Sequence, residues 1–146
     1  MIELEGMQDD TIKLTLAKLL PKGHKDMGEM PILFFNVRLL DGTRIGHCDL
    51  RVGDSRQTEV LGHLGYEIFE QYRGHHYAVR VCRLLMDYAK RAHMEHVEIT
   101  CDIDNYPSIR TCELLGAQKL GMIAVPPDNI EFDRGSRLKY RYRIML

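Results

Sequence analysis

Residues 65–92 read GYEIFEQYRGHHYAVRVCRLLMDYAKRA, and within them the hydrophobic period changes from that of a strand to that of a helix. The residues from Val60 to Phe69 have the pattern of a β-strand. From Ala78 to Ala92 the apolar residues recur at spacings of three and four, which predicts an amphipathic helix. The short polar turn between them leaves unpaired N–H groups at the positive end of the helix dipole, a place suited to phosphate. An ordinary strand-to-helix connection is the alternative interpretation.

Three further strands are predicted before this stretch. They cover Thr11–Leu20, Ile32–Leu40 and Arg44–Val52, where apolar, aromatic and β-branched residues alternate with polar ones. Asp41-Gly42 is a dipeptide that favours tight turns, so we expect the second and third strands to form an antiparallel hairpin.

The chain after the long helix is predicted to form a strand, a short helix and two more strands, at His96–Ile103, Ser108–Leu115, Gln118–Ala124 and Arg137–Leu146. Basic and apolar residues alternate along the last strand. We interpret this pattern as a solvated sheet face at a charged edge, which protects a sheet against edge-to-edge pairing. A contact with phosphate or an acidic substrate is the alternative.

The composition is that of an ordinary globular chain. Its 146 residues are 45% hydrophobic and 28% charged, so we predict one domain over residues 1–146. The net charge of −1 argues against a nucleic-acid partner. No apolar run approaches the roughly 20 residues of a membrane span, and no leader is evident, so we expect a cytoplasmic protein with no membrane partner. The four cysteines form no Cys-x-x-Cys pair and are expected to be free, buried thiols.

A second informative stretch is residues 104–117, which read DNYPSIRTCELLGA. Here the sequence resembles the GNAT superfamily of N-acetyltransferases. In that family an Arg-x-x-Gly-x-Gly/Ala turn binds the pyrophosphate of acetyl-CoA, and a later Asn-x-x-Ser-x-x-x-Tyr-x-x-x-Gly segment flanks the pantetheine and the thiol. Both motifs occur here in that order, as Arg73 to Ala78 and from Asn105 onward, and the resemblance covers roughly residues 32–146.

The resemblance implies an α+β fold. Its centre would be a mostly antiparallel, twisted sheet of about six to seven strands with two principal helices. The helices that the family places between its first two strands would be shortened or absent, because only Pro21 to Met30 connects those strands here.

The resemblance also implies acetyl-CoA as the co-substrate and assigns residues to it. The turn would hold the pyrophosphate, the Asn105 segment would flank the pantetheine, and a backbone N–H near Ile68 to Glu70 would hold the thioester carbonyl. The cofactor-binding residues are then Ile68, Phe69, Glu70, Arg73, Gly74, His75, His76, Tyr77, Ala78, Asn105 and Ser108.

Two positions depart from the family pattern. His76 stands where the family has its central turn glycine, and a Cβ there could crowd the pyrophosphate. His75 and His76 could instead donate imidazole hydrogen bonds to phosphate, or hold zinc if further ligands converge; we predict no metal site. Cys112 stands where the family often has the tyrosine that protonates the departing CoA thiolate, so the proton must come from Cys112, water or another residue.

Acetyl transfer to an amine also needs a base, because the nucleophile must be neutral. His63 and Glu67 are the candidates, and His63 ranks slightly ahead because its usual pKa is near neutral. The alternative is that both belong to a polar sheet face.

The function predicted is therefore acetyl transfer from acetyl-CoA to an amine of a small molecule or peptide, with His63, Glu67 and Cys112 as candidate catalytic residues. A non-catalytic acyl-CoA-binding module of the same fold is the alternative, suggested by the two departures at His76 and Cys112. The short first connection leaves the acceptor side open, so we expect either a large acceptor or, preferably, a homodimer that closes the site.

Overall fold

The computed structural model describes residues 7–23, 30–55 and 58–146, which form seven strands and four helices. In chain order these are β1 (Ile12–Leu20), β2 (Ile32–Leu39), β3 (Arg44–Arg51), α1 (Thr58–Leu61), β4 (Leu64–Ile68), α2 (Tyr77–Arg91), β5 (His96–Asp102), α3 (Tyr106–Leu114), β6 (Gln118–Ala124), α4 (Ile130–Asp133) and β7 (Leu138–Met145).

The strands form two antiparallel sheets. The first contains four strands in the order β1-β2-β3-β4, and the second contains three in the order β5-β7-β6. The α+β class and the count of seven strands are confirmed, but the expected single sheet is divided between β4 and β5. This division creates the cleft described below.

The predicted hairpin between β2 and β3 is confirmed. The Asp41 carboxylate accepts a hydrogen bond from the N–H of Thr43 at 2.9 Å, and Gly42 has a φ of 99°. Aspartate supplies the acceptor that closes such a turn, and glycine tolerates the positive φ. The turn therefore sets the register that places Cys48 opposite Phe35.

The core lies between the two sheets and α2. Val81, Leu85 and Ala89, spaced by four, are fully buried. This face of α2 packs against β1, β3, β4 and β5, so it joins the first sheet to the second. All four cysteines are buried and free, as predicted.

The predicted strand Val60–Phe69 is wrong at its start. Residues Thr58–Leu61 form the short helix α1, and β4 begins only at Leu64. Gly62, with a φ of 72°, lies between them and reverses the chain. The pattern could not separate the two because a short apolar run is compatible with either element.

The prediction that the last strand is a charged edge is also wrong. β7 lies in the middle of its sheet, paired with β5 on one side and β6 on the other. Its basic residues meet acidic partners on β5: Glu98 Oε1 lies 2.7 Å from Arg141 and 3.2 Å from Arg143.

The first connection is as short as predicted. β1 and β2 are paired as far as Leu20 and Ile32, which leaves eleven residues, 21–31, between them. Residues 24–29 of the predicted Pro21–Met30 connection lie outside the described residues, and the others form no helix. Among the described residues, none of the helices combines the length and the apolar composition that crossing a membrane requires.

Candidate active site

A cleft of about 750 Å³ opens where β4 and β5 diverge. It extends from the start of α2, past β4, to the start of α3 and the end of β5. The predicted site residues that line it are Glu67, Ile68, Arg73, Gly74, His76, Tyr77, Ala78, Asn105 and Ser108. Those that do not line it are His63, Phe69, Glu70, His75 and Cys112. The cleft thus brings together residues of both sequence motifs.

The polar turn is attached to the end of β4. The Arg73 guanidinium donates through Nε to the carbonyl oxygen of Ile68 at 2.8 Å. Gly74 has a φ of 93° and His76 a φ of 57°. The left-handed conformation costs a non-glycine residue about 1–2 kcal/mol, so His76 occupies backbone geometry that favours glycine. The turn therefore has two positions, Gly74 and His76, separated by one residue, at which the backbone is left-handed.

The start of α2 is open to an anion. His76 is the residue that precedes the helix, and its side chain makes no capping hydrogen bond. The N–H groups of a first helical turn have no partner within the helix. Gly74, His76, Tyr77 and Ala78 line the cleft at this point, so those donors are at its wall. His75 instead places its ring 5.3 Å from that of Tyr77, outside the cleft.

Among the strands that the structure describes, none pairs with the edge of β4 that faces the cleft. The N–H of Phe69 donates to the carbonyl oxygen of Ile45 on the β3 side at 2.9 Å. Successive N–H groups of a strand point to opposite edges, so the N–H of Ile68 points to the cleft edge. Of the three predicted carbonyl-binding positions, Ile68 therefore has the required orientation. The N–H of Phe69 is already used, and Glu70 starts a 3₁₀ turn, Glu70–Tyr72.

Asn105 precedes α3 and caps it. Its side-chain oxygen accepts a hydrogen bond from the N–H of Ser108 at 3.3 Å, and Pro107 lies in the first turn. Proline suits this position because its missing N–H would be unpaired there in any case. Ser108 also contacts the other wall of the cleft, since its Oγ lies 2.6 Å from the hydroxyl of Tyr66 on β4. Tyr66 was not predicted as a site residue.

Glu67 lies on the polar face of β4, directly opposite His47 of β3. Its Oε2 is 3.0 Å from His47 Nε2, and both side chains are about half exposed. Glu67 therefore lines the cleft with a hydrogen-bonded, solvent-accessible carboxylate, as a base requires.

His63 is fully buried between the sheets. Its Nδ1 accepts a hydrogen bond from the backbone N–H of Glu98 at 2.8 Å, and its Nε2 lies 3.0 Å from Asp54 Oδ1. Because Nδ1 accepts, Nε2 carries the proton and donates to Asp54. Burial lowers the pKa of His63 below its usual value, although the Asp54 carboxylate opposes this. His63 therefore has no free nitrogen to accept a proton from a substrate.

Cys112 is also fully buried, on the side of α3 that faces the core. Burial raises the pKa of its thiol to about 12. The position that corresponds to the family tyrosine thus carries a neutral thiol outside the cleft lining.

A group of charged side chains lines the cleft near the end of β5 and the start of β7 and was missed by the sequence analysis. Lys139 Nζ lies 3.4 Å from Asp102 Oδ1 and 3.8 Å from Glu131 Oε1. Lys139 is one of the basic residues that alternate along the last strand. Its contact with Asp102 follows only from the tertiary structure, in which the two residues are paired across β5 and β7. Within the described part of the chain, no three metal-ligating side chains converge.

Comparisons with known proteins agree with this fold. The family model of the acetyltransferase (GNAT) domain matches residues 10–118. A search of curated proteins gave no significant sequence match.

Three solved structures illustrate the likeness in fold. A GNAT-family acetyltransferase from Bacillus anthracis is 22% identical, with 77% of this chain and 65% of that chain covered and a TM-score of 0.59. The microcin C7 self-immunity acetyltransferase MccE, solved with acetyl-CoA and AMP, is 17% identical over 79% of this chain and 61% of that one, with a TM-score of 0.59. A Salmonella typhimurium acetyltransferase that modifies the N-terminal serine of ribosomal protein L7/L12 is 14% identical, with 79% of this chain and 64% of that chain covered and a TM-score of 0.60. The chain thus matches less than two-thirds of the length of each.

Proposed function

Since the chain belongs to the acetyltransferase (GNAT) family, we propose that it transfers the acetyl group of acetyl-CoA to an amine. The observation that carries this proposal is the cleft between β4 and β5. Its lining includes the start of α2, the end of β4 and the accessible carboxylate of Glu67.

The proposal places the pyrophosphate of acetyl-CoA at the turn from Arg73 to Ala78. The unpaired N–H groups at the start of α2 would donate to the phosphate oxygens, and the helix dipole favours negative charge there. The pantetheine would pass between β4 and α3, where Asn105 and Ser108 line the cleft.

The thioester carbonyl would then lie at the free edge of β4. The N–H of Ile68 is the donor that would stabilise the negative charge on the carbonyl oxygen as the amine attacks. A donor fixed in a strand is already oriented, so it costs no reorganisation during the reaction.

Glu67 is the base in this proposal, in place of His63. The acceptor amine would lose a proton to its carboxylate, directly or through water. His47, 3.0 Å away, would hold the carboxylate in position.

The acceptor is an amine of a small molecule or of a peptide. Residues 21–31 are too few for the pair of helices that family members place between their first two strands, so the acceptor side is open. We propose that a second copy of the chain covers this side in a homodimer and that the protein acts in the cytoplasm.

The test is a thiol-release assay with acetyl-CoA and a panel of amines that includes peptides with free N-termini. Release of CoA thiol that depends on one acceptor class supports the proposal. The second candidate, a non-catalytic acyl-CoA-binding module, is favoured by the buried Cys112 and by His76 in the turn. Saturable binding of acetyl-CoA, measured by calorimetry, with no thiol release on any amine would identify the module.

A further inference from the structure

The charged residues at the end of β5 lie on the same face of the sheets as the proposed base. Side chains alternate along a strand, so Glu67 lies on the opposite face of β4 from Tyr66, and Asp102 on the opposite face of β5 from Cys101. Tyr66 and Cys101 both pack into the core. Asp102 and its cross-strand neighbour Lys139 therefore share the polar face with Glu67.

Glu131 reaches the same place from α4, which lies in the connection between β6 and β7. Lys139 Nζ lies 3.4 Å from Asp102 Oδ1 and 3.8 Å from Glu131 Oε1, and all three residues line the cleft. We call Asp102, Glu131 and Lys139 the charged cluster. Of the described residues that connect β1 to β2, none lines the cleft, so the β6–β7 connection supplies this side chain instead.

The charged cluster has more negative than positive charge. All but 8% of the Lys139 side chain is buried, which fixes one ammonium group between two carboxylates. Ser136 donates to Oδ1 of Asp102, but within the described part of the chain nothing donates a hydrogen bond to Asp102 Oδ2 or to the carboxylate of Glu131. The side chains of Asp102 and Glu131 are 44% and 25% exposed, so these oxygens can accept hydrogen bonds from a ligand.

The arginines of the cleft do not balance this negative charge. Arg51 lines the cleft, but its Nη2 lies 3.1 Å from Asp49 Oδ2, so the two charges cancel. Arg110 on α3 is paired with Glu113 at 3.1 Å, and Arg73 belongs to the turn assigned to the pyrophosphate. The turn and the start of α2 thus favour an anion, whereas the charged cluster and the proposed base favour a cation.

We propose that the acceptor carries a second cationic group, which binds between Asp102 and Glu131 while the reacting amine lies at Glu67. This rests on the proposed function. The second group would donate to the carboxylate oxygens that Lys139 leaves without a hydrogen bond, and hydrogen bonds between charged groups are the strong ones. The acceptor is then a small aliphatic diamine, or a peptide with a basic side chain next to its free N-terminus.

The first experiment compares linear diamines of three to six carbons with monoamines of the same lengths, at saturating acetyl-CoA. At least one diamine should have a kcat/KM about tenfold above that of its monoamine, mainly through KM, because a hydrogen-bonded ion pair contributes about this factor. Added salt should reduce the preference, since accessible charges are screened. C-terminally amidated Ala-Arg-Ala and Ala-Ala-Ala form a second arm. A preference found only among the diamines, or only between the peptides, supports the proposal and identifies the source of the cation.

The second experiment tests whether the charged cluster causes the preference. Glu131→Gln keeps the size of the side chain and removes its charge, so the preference should fall about tenfold. Both amines of a pair are measured in each protein, so differences in their intrinsic reactivity cancel. Asp133→Asn is the matched control, because it removes one negative charge from the same helix at an exposed residue outside the cleft lining. Asp102→Asn should also lower the preference and provides the test if Glu131→Gln does not fold.

Three results would overturn the proposal. One is an equal kcat/KM for every diamine and its monoamine and for both peptides. Another is a preference that Glu131→Gln and Asp102→Asn leave unchanged, and the third is a loss in Asp133→Asn as large as theirs. A wild-type protein that acetylates no amine overturns the proposed function and this acceptor class with it, whereas a wild type that acetylates monoamines as well as diamines overturns this inference alone.

Discussion

His63 and Glu98 form the joint between the two sheets. The backbone N–H of His63 donates to the carbonyl oxygen of Glu98 at 2.7 Å, and the N–H of Glu98 donates to His63 Nδ1 at 2.8 Å. Beyond this point β4 and β5 belong to different hydrogen-bonded sheets. The ring nitrogen of His63 thus accepts the hydrogen bond that a backbone carbonyl would accept in a continuous sheet. The cleft opens beyond this residue.

The joint should make stability depend on pH. His63 is buried as a neutral acceptor, and its pKa is lowered in the folded chain, so the unfolded chain binds a proton that the folded chain resists. The free energy of unfolding should therefore rise with pH from the lowered pKa of the folded state up to about 6.5, the value in an unfolded chain, and level off above it. Urea denaturation across this window measures the effect.

His63→Asn is the informative variant for this test. Asparagine can place an oxygen near the position of Nδ1 but does not titrate, so the stability of the variant should change less with pH over the same window. Asp54, Glu98 and His96 are the other ionisable groups that face His63. His96→Gln is the matched control, because the His96 ring lies 5.8 Å from that of His63. Identical pH dependence in wild type and His63→Asn would contradict the prediction.

Gly74→Val should weaken CoA binding by about tenfold or more. A Cβ at Gly74 would meet nothing within 4 Å, so the cause is not crowding within the chain but the φ of 93°, which a β-branched residue adopts only with strain. Relief of that strain would displace the N–H groups of the turn. Isothermal calorimetry with CoA measures the change.

Gly42→Val provides the matched control for the turn. Its φ is 99° and a Cβ there also meets nothing within 4 Å, but it lies in the β2–β3 hairpin. We expect Gly42→Val to lower the free energy of unfolding by about 1–2 kcal/mol, as the same strain would in Gly74→Val, with no change in CoA affinity. If a folded Gly74→Val protein binds CoA as the wild type does, the turn is not the pyrophosphate site.

Substitution of Asn105 should separate its capping role from substrate binding. Asn105→Ala removes the acceptor for the N–H of Ser108, so the free energy of unfolding should fall by about 1 kcal/mol and turnover or CoA affinity should fall as well. Asn105→Asp keeps the capping oxygen and removes the amide donor. Thermal unfolding and steady-state kinetics on both variants decide the matter: if Asn105→Ala loses only stability, Asn105 is a turn residue and no more.

Glu67→Gln should abolish most of the activity and leave CoA binding intact. Glutamine keeps the size and one oxygen but cannot accept a proton at neutral pH, so kcat should fall by about 100-fold to 10,000-fold. His47→Gln is expected to have a smaller effect, because His47 acts only through the carboxylate that it contacts. Steady-state kinetics with a saturating amine measures both; a Glu67→Gln protein that turns over normally would remove Glu67 from the mechanism.

If the chain forms a homodimer, the species in solution should have twice the mass of one chain. Sedimentation velocity over a wide concentration range should show a dimer. Turnover of the acceptor should fall when the protein is diluted below the dissociation constant of the dimer. A monomer throughout, active on a small free amine, would contradict both the dimer and the large-acceptor alternative.

Much of the fold could be predicted from the sequence, because its elements are encoded locally. The alternation of β2 and β3 and the four-residue spacing of Val81, Leu85 and Ala89 each depend on neighbours within one element. The turn at Arg73 to Ala78 is local as well, and most of its residues line the cleft.

The seven strands, the two longer helices and the turn from Arg73 to Ala78 could therefore be read from the sequence, because each follows from residues close together in the chain. The contacts between groups that are distant in the chain follow from the packing of these elements. The Tyr66–Ser108 hydrogen bond, the central position of β7 and the burial of His63 against Glu98 depend on which strands pair and on where the sheet divides. His63 and Glu67 occupy similar polar positions in sequence, yet one lies in the joint and the other in the cleft, because β4 is covered by β5 at its start and free at its end.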